Sequence, residues 1–223
     1  MPRTIHIDGP SDDLHSALED RLLRAGAPVS KNPDEAEISL IIGGNSQYDI
    51  IIIANDDPTT NNNGSLIRLH DLIIPSAVSG WGTEVIREWV AAVKRDEEID
   101  MESGTRYWVH VRDVVDAISV LTLSEGGIPS GEIDICGRRG WHCEDVLDEI
   151  RLLWTRFINS IHHSHTIESL SEITSPVKRD GSDKSLRPDL RPLHEALMAS
   201  CGSGWHPLVQ MRTSLMELIA QTD

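Results

Sequence analysis

Thr4-Ile-His-Ile-Asp-Gly-Pro-Ser-Asp-Asp-Leu-His-Ser-Ala-Leu18 reads as a strand, a tight turn and the start of a helix. Thr4 to Asp8 carries the alternation of a strand, and Gly9-Pro-Ser supplies the turn. Ser11 is the expected N-cap, with Asp12 and Asp13 in the first turn, where the positive end of the helix dipole favours carboxylates. Leu14, Ala17, Leu18, Leu22 and Ala25 then recur at helical spacing, and Gly26 supplies the stop.

The same alternation of element types continues outward from this unit. Pro28-Val-Ser30 reads as a short second strand. Ile38-Ser-Leu-Ile-Ile42 and Asp49-Ile-Ile-Ile-Ile-Ala54 are β-branched runs of the kind buried on both faces, so they belong in the centre of a sheet. Only Gly43 to Tyr48 lies between them, fewer than the dozen or so residues of a helical crossover, and the expectation is a hairpin. Asp56-Asp-Pro-Thr-Thr-Asn-Asn-Asn-Gly64 is rich in turn formers and has no apolar anchor, as a surface loop should.

Ser65 to His70 is a further strand, leading through Pro75 and Gly80-Trp-Gly82 to a helix capped by Thr83 with Val85, Ile86, Trp89, Val90 and Val93 facing inward. A strand is expected at Tyr107 to Val111, a helix from about Asp113 to Leu123, a strand at Glu132 to Cys136 and a helix near Glu144 to Phe157. Asn159 to Leu186 lacks periodicity and reads as loop, and two helices, Leu190 to Ser200 and Leu208 to Ala220, close the chain. Strands alternating with helices predict an α/β fold with a largely parallel sheet.

Composition excludes several partners. A formal charge of -16 over 223 residues repels phosphate backbones and anionic lipid, so neither nucleic acid nor a membrane is an expected partner. No apolar run approaches the length of a membrane span and the chain opens directly into a strand, so the expected location is cytoplasmic. Cys136, Cys143 and Cys201 form no paired framework and read as packing residues in a reducing compartment. His162-His-Ser-His165 and the group Cys136, His142 and Cys143 fit no standard zinc spacing, and an exposed polar loop accounts for the histidines. No Gly-x-Ser-x-Gly elbow occurs. Trp89 and Trp154 fall on apolar helix faces, whereas Trp81, Trp108 and Trp141 sit near strand ends where a ligand could meet them.

Several segments, in order, resemble the extended short-chain dehydrogenases, the NAD-dependent epimerases and dehydratases of nucleotide sugars. Thr4 to Leu18 is similar to their dinucleotide-binding start, and Tyr48-Asp-Ile-Ile-Ile-Ile-Ala-Asn55 to their fourth strand. Ile67-Arg-Leu-His-Asp-Leu-Ile-Ile-Pro75 resembles a segment reading Arg, two residues, Asn, then aromatic-Gly-Pro, and Arg106-Tyr-Trp-Val-His-Val-Arg-Asp113 resembles Arg-x-Phe-Val-His-Val-x-Asp. Leu186-Arg-Pro-Asp189 and Gly204-Trp-His-Pro207 are similar to the closing region, where the glycine permits a bend and the tryptophan packs.

The departures are as informative. Of the fingerprint Gly-x-x-Gly-x-x-Gly, Gly9 holds the first position while Asp12 and His15 stand at the other two. Asp12 points negative charge at the helix N-terminus that would receive a pyrophosphate. If a dinucleotide did bind, Gly9, Ser11 and Asp12 are the positions that would meet it. The family's Tyr-x-x-x-Lys is absent: Tyr48 is followed four places on by Ile52 and Tyr107 by Val111. The stretch that would carry it is replaced by the Asn-rich loop, as though by an internal deletion.

The resemblance therefore implies a reduced Rossmann-like core over 1–158, with helices on both faces of the sheet, and a loop and small helical region over 159–223 packed on it as one domain. It implies a non-redox relative with no cofactor, binding a nucleotide-sugar-like ligand through Asp71, Arg106 and Arg187, or serving as a partner subunit in a homo-oligomer or beside an intact homologue. Arg106 stands open between a phosphate contact and a surface ion pair, and Asp113 between a motif residue and a simple helix cap. The alternatives are an NAD- or NADP-dependent epimerase or dehydratase with His70 or Asp71 as acid or base, and a purely interactional protein.

Overall fold

The computed structural model describes residues 3–44, 48–60, 64–78, 80–99, 104–167 and 187–222. β1 (Ile5–Asp8) leads into α1 (Asp13–Arg24), then β2 (Val29–Ser30), a 3-10 turn at Pro33–Glu35, β3 (Ile38–Ile42), β4 (Ile50–Ala54) and β5 (Ser65–Leu69). β6 (Leu72–Ile73), α2 (Thr83–Arg95), β7 (Thr105–Arg106), β8 (Val109–His110) and α3 (Val111–Leu123) follow. β9 (Gly131–Ile135), β10 (Trp141–His142), α4 (Cys143–Ile161), α5 (Arg191–Cys201) and α6 (Met211–Gln221) complete the described elements.

Six strands form one parallel sheet in the order β2-β1-β3-β4-β5-β9. The chain leaves β1 to one side for β2 and returns to its other side for β3, so the topological switch point lies between β1 and β3. Two small pairs extend the body: β6 with β8, parallel, and β7 with β10, antiparallel.

Period-two alternation divides the strand residues between two faces. Leu40, Ile42, Ile50, Ile52, Ile67 and Leu69 join the core beneath α1, α3 and α5. Ile41, Ile51, Ile53 and Leu66 point the other way and cluster with Tyr48. A separate core gathers α2, α4 and α6 around Ile73, Trp89 and Trp108. Helix and sheet thus share one core, and three helices build another beside the sheet's carboxyl edge.

Three local expectations are corrected. Ile38–Ile42 and Ile50–Ala54 are parallel neighbours, with Leu40 opposite Ile50, rather than a hairpin. Strands of five residues rise only about 17 Å, and the seven residues between β3 and β4 can span about 24 Å, so no helical crossover is required. Ser11 is exposed, and Asp12 is the N-cap of α1. Thr83 is buried inside the first turn of α2 behind Gly82, where its hydroxyl donates to the Leu72 carbonyl at 2.8 Å and accepts from the Ile74 amide at 3.2 Å.

The expected strand over Tyr107–Val111 is only β8, because α3 begins at Val111 under a cap from the His110 ring. The helix expected near 144–157 extends to Ile161, so the loop reading of 159–186 begins inside α4, and its part from 168 to 186 lies outside the described residues. Residues 45–47 and 61–63 of the two expected turns also lie outside them. Among the described residues, no helix is long and apolar enough to cross a membrane.

Candidate functional site

Parallel sheets present ligand sites beyond the carboxyl ends of their strands. Here β4 ends beside Asn55 and β5 beside His70 and Asp71, and a cavity of about 480 Å³ opens at that edge. Asn55, His70, Asp71, Arg106, Asp134 and Arg187 line it. The three residues expected to meet a substrate, Asp71, Arg106 and Arg187, therefore face one space although they lie far apart in sequence.

Asp71 organises the cavity wall. Its backbone is left-handed, φ +45°, a conformation that aspartate tolerates better than most residues. Its carbonyl accepts from the Val109 amide at 3.1 Å and its Oδ2 from the Tyr107 amide at 2.7 Å, which ties residues 107–109 to the sheet edge. Oδ1 meets Arg106 Nη1 at 3.4 Å, a loose, part-exposed pair worth little in isolation. Arg106 thus makes an ion pair, yet its guanidinium still borders the cavity. Arg187 is exposed, and no carboxylate among the described residues pairs with it.

His70 and Asp134 were not singled out together from sequence. His70 Nε2 lies 2.6 Å from Asp134 Oδ1, and both side chains are mostly sheltered at the cavity wall. With Nε2 donating to the carboxylate, a neutral imidazole keeps Nδ1 as a proton acceptor. The signal was long-range: His70 directly follows β5 and Asp134 lies on the neighbouring β9, a juxtaposition visible only once those strands are paired. Arg68 on β5 anchors the start of the Asn-rich loop, donating to the Asp57 carbonyl at 2.7 Å while pairing with Glu132 at 2.5 Å. The loop's anchor is polar, where the sequence showed no apolar one.

The other expected contacts, Gly9, Ser11 and Asp12, lie at the switch point between β1 and β3. Gly9 has φ +116°, and a Cβ there would stand 2.3 Å from the Ile42 carbonyl oxygen, so the tight turn requires glycine. Asp12 occupies the helix N-terminus with both oxygens: Oδ1 accepts from the His15 amide at 2.9 Å and Oδ2 from the Trp81 indole at 2.8 Å. Gly80, Trp81 and Gly82 all have left-handed backbones, an uncommon conformation for a bulky residue, and this kink brings the indole onto Asp12. A carboxylate therefore already holds one amide of a helix end, the kind of place that otherwise attracts a phosphate group.

The remaining reactive groups are poorly disposed for nucleophilic or tyrosinate chemistry. Tyr48 donates to Asp8; that bond and the Gly9 amide hold Asp8 below the usual carboxylate range, and the same bond pushes the Tyr48 phenol up. Burial above all, then the charges of Asp71 and Asp134, pushes the Cys136 thiol up to about 12. Burial also raises Cys143. His162, His163 and His165 are exposed, and among the described residues no three metal-ligating side chains converge.

Two motif residues act structurally. Asp113 is buried in the first turn of α3 and accepts from the amides of Leu208, at 2.8 Å, and Val209, at 3.1 Å, thereby seating the turn before α6. Trp205 packs in the core and donates to the Cys136 carbonyl at 2.9 Å. Gly204 has no left-handed backbone; a Cβ there would fall 1.9 Å from the His194 ring, so close approach rather than a bend requires glycine.

No family model and no curated protein matches the sequence. Solved structures do match in fold. The chain is similar to the Bordetella bronchiseptica enzyme WbmF in complex with NAD+ and UDP, at 13% identity and a TM-score of 0.57, over 99% of this chain and 92% of that one. It is similar to RMD from Pseudomonas aeruginosa complexed with NADPH, at 12% identity and a TM-score of 0.58, over 98% of each chain. It is also similar to UDP-glucose 4-epimerase with UDP-glucose from Thermotoga maritima, at 13% identity and a TM-score of 0.56, over 98% of each chain. At such identity the likeness is one of fold alone, and the fold is the Rossmann-like α/β fold of those enzymes.

Proposed function

We propose that the protein binds a nucleotide-sugar-like diphosphate at the carboxyl edge of its sheet and carries out no nicotinamide chemistry. The observation that carries this reading is the meeting of Asp71, Arg106 and Arg187 in one cavity beyond β4 and β5. Two guanidinium forks suit a diphosphate, and Asp71 offers an acceptor to hydroxyl groups. The UDP and UDP-glucose held by enzymes of similar fold support this ligand class. Against a dinucleotide stands the Asp12 carboxylate at the N-terminus of α1. Calorimetric titration with UDP-glucose tests the reading: binding should weaken at least about tenfold in Arg106→Gln and in Arg187→Gln, and undiminished binding in both variants would move the ligand elsewhere.

A second reading, an NAD- or NADP-dependent epimerase or dehydratase with an atypical site, is favoured by the His70–Asp134 contact and by the dinucleotides in similar folds. A carboxylate-oriented imidazole in the cavity is a suitable acid–base group. This reading requires a dinucleotide, which the arrangement at Asp12 opposes. Saturable NAD+ or NADPH binding would favour it over the first.

A further inference from the structure

A second cavity, also about 480 Å³, lies apart from the sheet-edge site, where β8 and the turn after β9 meet the start of α6. Trp108, Trp141, Arg138, Arg139, His206 and Met211 are among its lining residues. Its volume falls in the range of small-molecule sites.

The charge around it is positive in a chain of net charge -16. Arg138 donates to His206 Nδ1 at 2.6 Å, and the Arg139 guanidinium lies 5.4 Å from the Trp141 ring centre. Both arginines are exposed, and among the described residues each is set against a ring rather than a carboxylate. The carboxylates nearby are already engaged: Asp113 with the Leu208 and Val209 amides, Glu149 with Arg212, and Glu217 with His110 and Arg112. The N-terminus of α6 adds partial positive charge, because Gln210 gives it no side-chain cap. The wall is otherwise aromatic and apolar: Trp108 is 5% exposed, and its indole N–H has no acceptor in the described protein.

We propose that this cavity binds a phosphate monoester bearing a planar group, with Arg138 and Arg139 holding the dianion and Trp141 and Trp108 flanking the ring. Two guanidiniums without carboxylate partners match two negative charges better than one. Indole faces suit a flat ring, and the Arg139 guanidinium already lies over that of Trp141.

Phenyl phosphate is the probe, followed by the indole 1H–15N signals of the full-length protein, with phenylacetate as the monoanionic comparison. The expected result is a saturable shift of the Trp108 and Trp141 signals. Affinity should be at least about tenfold weaker for phenylacetate and for the Arg138→Gln/Arg139→Gln variant. The remaining indole signals of that variant report whether its fold is intact. The proposal fails if no saturable shift occurs, if phenylacetate binds equally, or if the double variant binds normally. It also fails if Arg106→Gln, at the sheet-edge cavity, abolishes the shift.

Discussion

The indole N–H of Trp81 donates to Asp12 Oδ2 at 2.8 Å, joining residues 69 apart in the chain. Asp12 also caps α1 through the His15 amide, so one carboxylate closes the helix end and pins the kinked Gly80-Trp81-Gly82 turn to it. The contact thus sets a paired carboxylate at the switch point of the sheet.

Asp12→Ala removes the cap and leaves the indole without its acceptor, and should cost about 1–3 kcal/mol. Asp12→Asn keeps an acceptor oxygen and should cost less than half as much. Urea denaturation followed by far-ultraviolet circular dichroism measures both; equal losses would show that charge, rather than the acceptor, matters.

Gly9→Ala forces a Cβ onto the Ile42 carbonyl at φ +116° and should destabilise the fold by about 2–4 kcal/mol. Gly26 has φ +82° but open space around it, so Gly26→Ala should cost only the backbone strain, about 1–2 kcal/mol. Thermal unfolding of the two variants should rank them in that order.

Burial first, then the Arg112 charge, lowers the His110 pKa from 6.5, against the opposing pull of Glu217 and Asp113. The unfolded chain then takes up this proton before the folded one does. The contribution to stability is complete above about pH 6.5 and is lost as pH falls through that value towards the folded pKa. His110→Asn keeps an acceptor for the Arg112 amide, and should flatten the decline in urea midpoint between about pH 6.5 and pH 5.

Cys136 and Cys143 are buried with raised thiol pKa values, whereas Cys201 is exposed. A disulfide-exchange reagent at pH 8 should therefore modify Cys201 rapidly in the native protein and the other two only on unfolding. Rapid labelling of Cys136 in Cys201→Ser would contradict the packing described around β9.

Local signals were legible and pairings were not. The strand–turn–helix of Thr4–Leu18 and the apolar runs at Ile38 and Asp49 carry their element types in their spacing. The parallel register of those two runs was hidden, since a short link between strands usually signals a hairpin, whereas here the two strands pair in parallel. Asp71, Arg106 and Arg187 could be named from ordered motif resemblance, and the fold brings them to one cavity. His70–Asp134 and Asp12–Trp81 depend on contacts across 64 and 69 residues, which no local pattern encodes. Thr83 and Asp113 have cap-forming side chains, but burial turns both towards main-chain groups of other segments.

The most direct test of a non-redox sugar-nucleotide binder is parallel calorimetric titration of the protein with UDP-glucose and with NAD+ at low salt. Saturable heat is expected from UDP-glucose and none from NAD+, even with UDP-glucose already bound. Stoichiometric NAD+ binding would contradict it and establish that the Asp12-capped helix end still receives a dinucleotide.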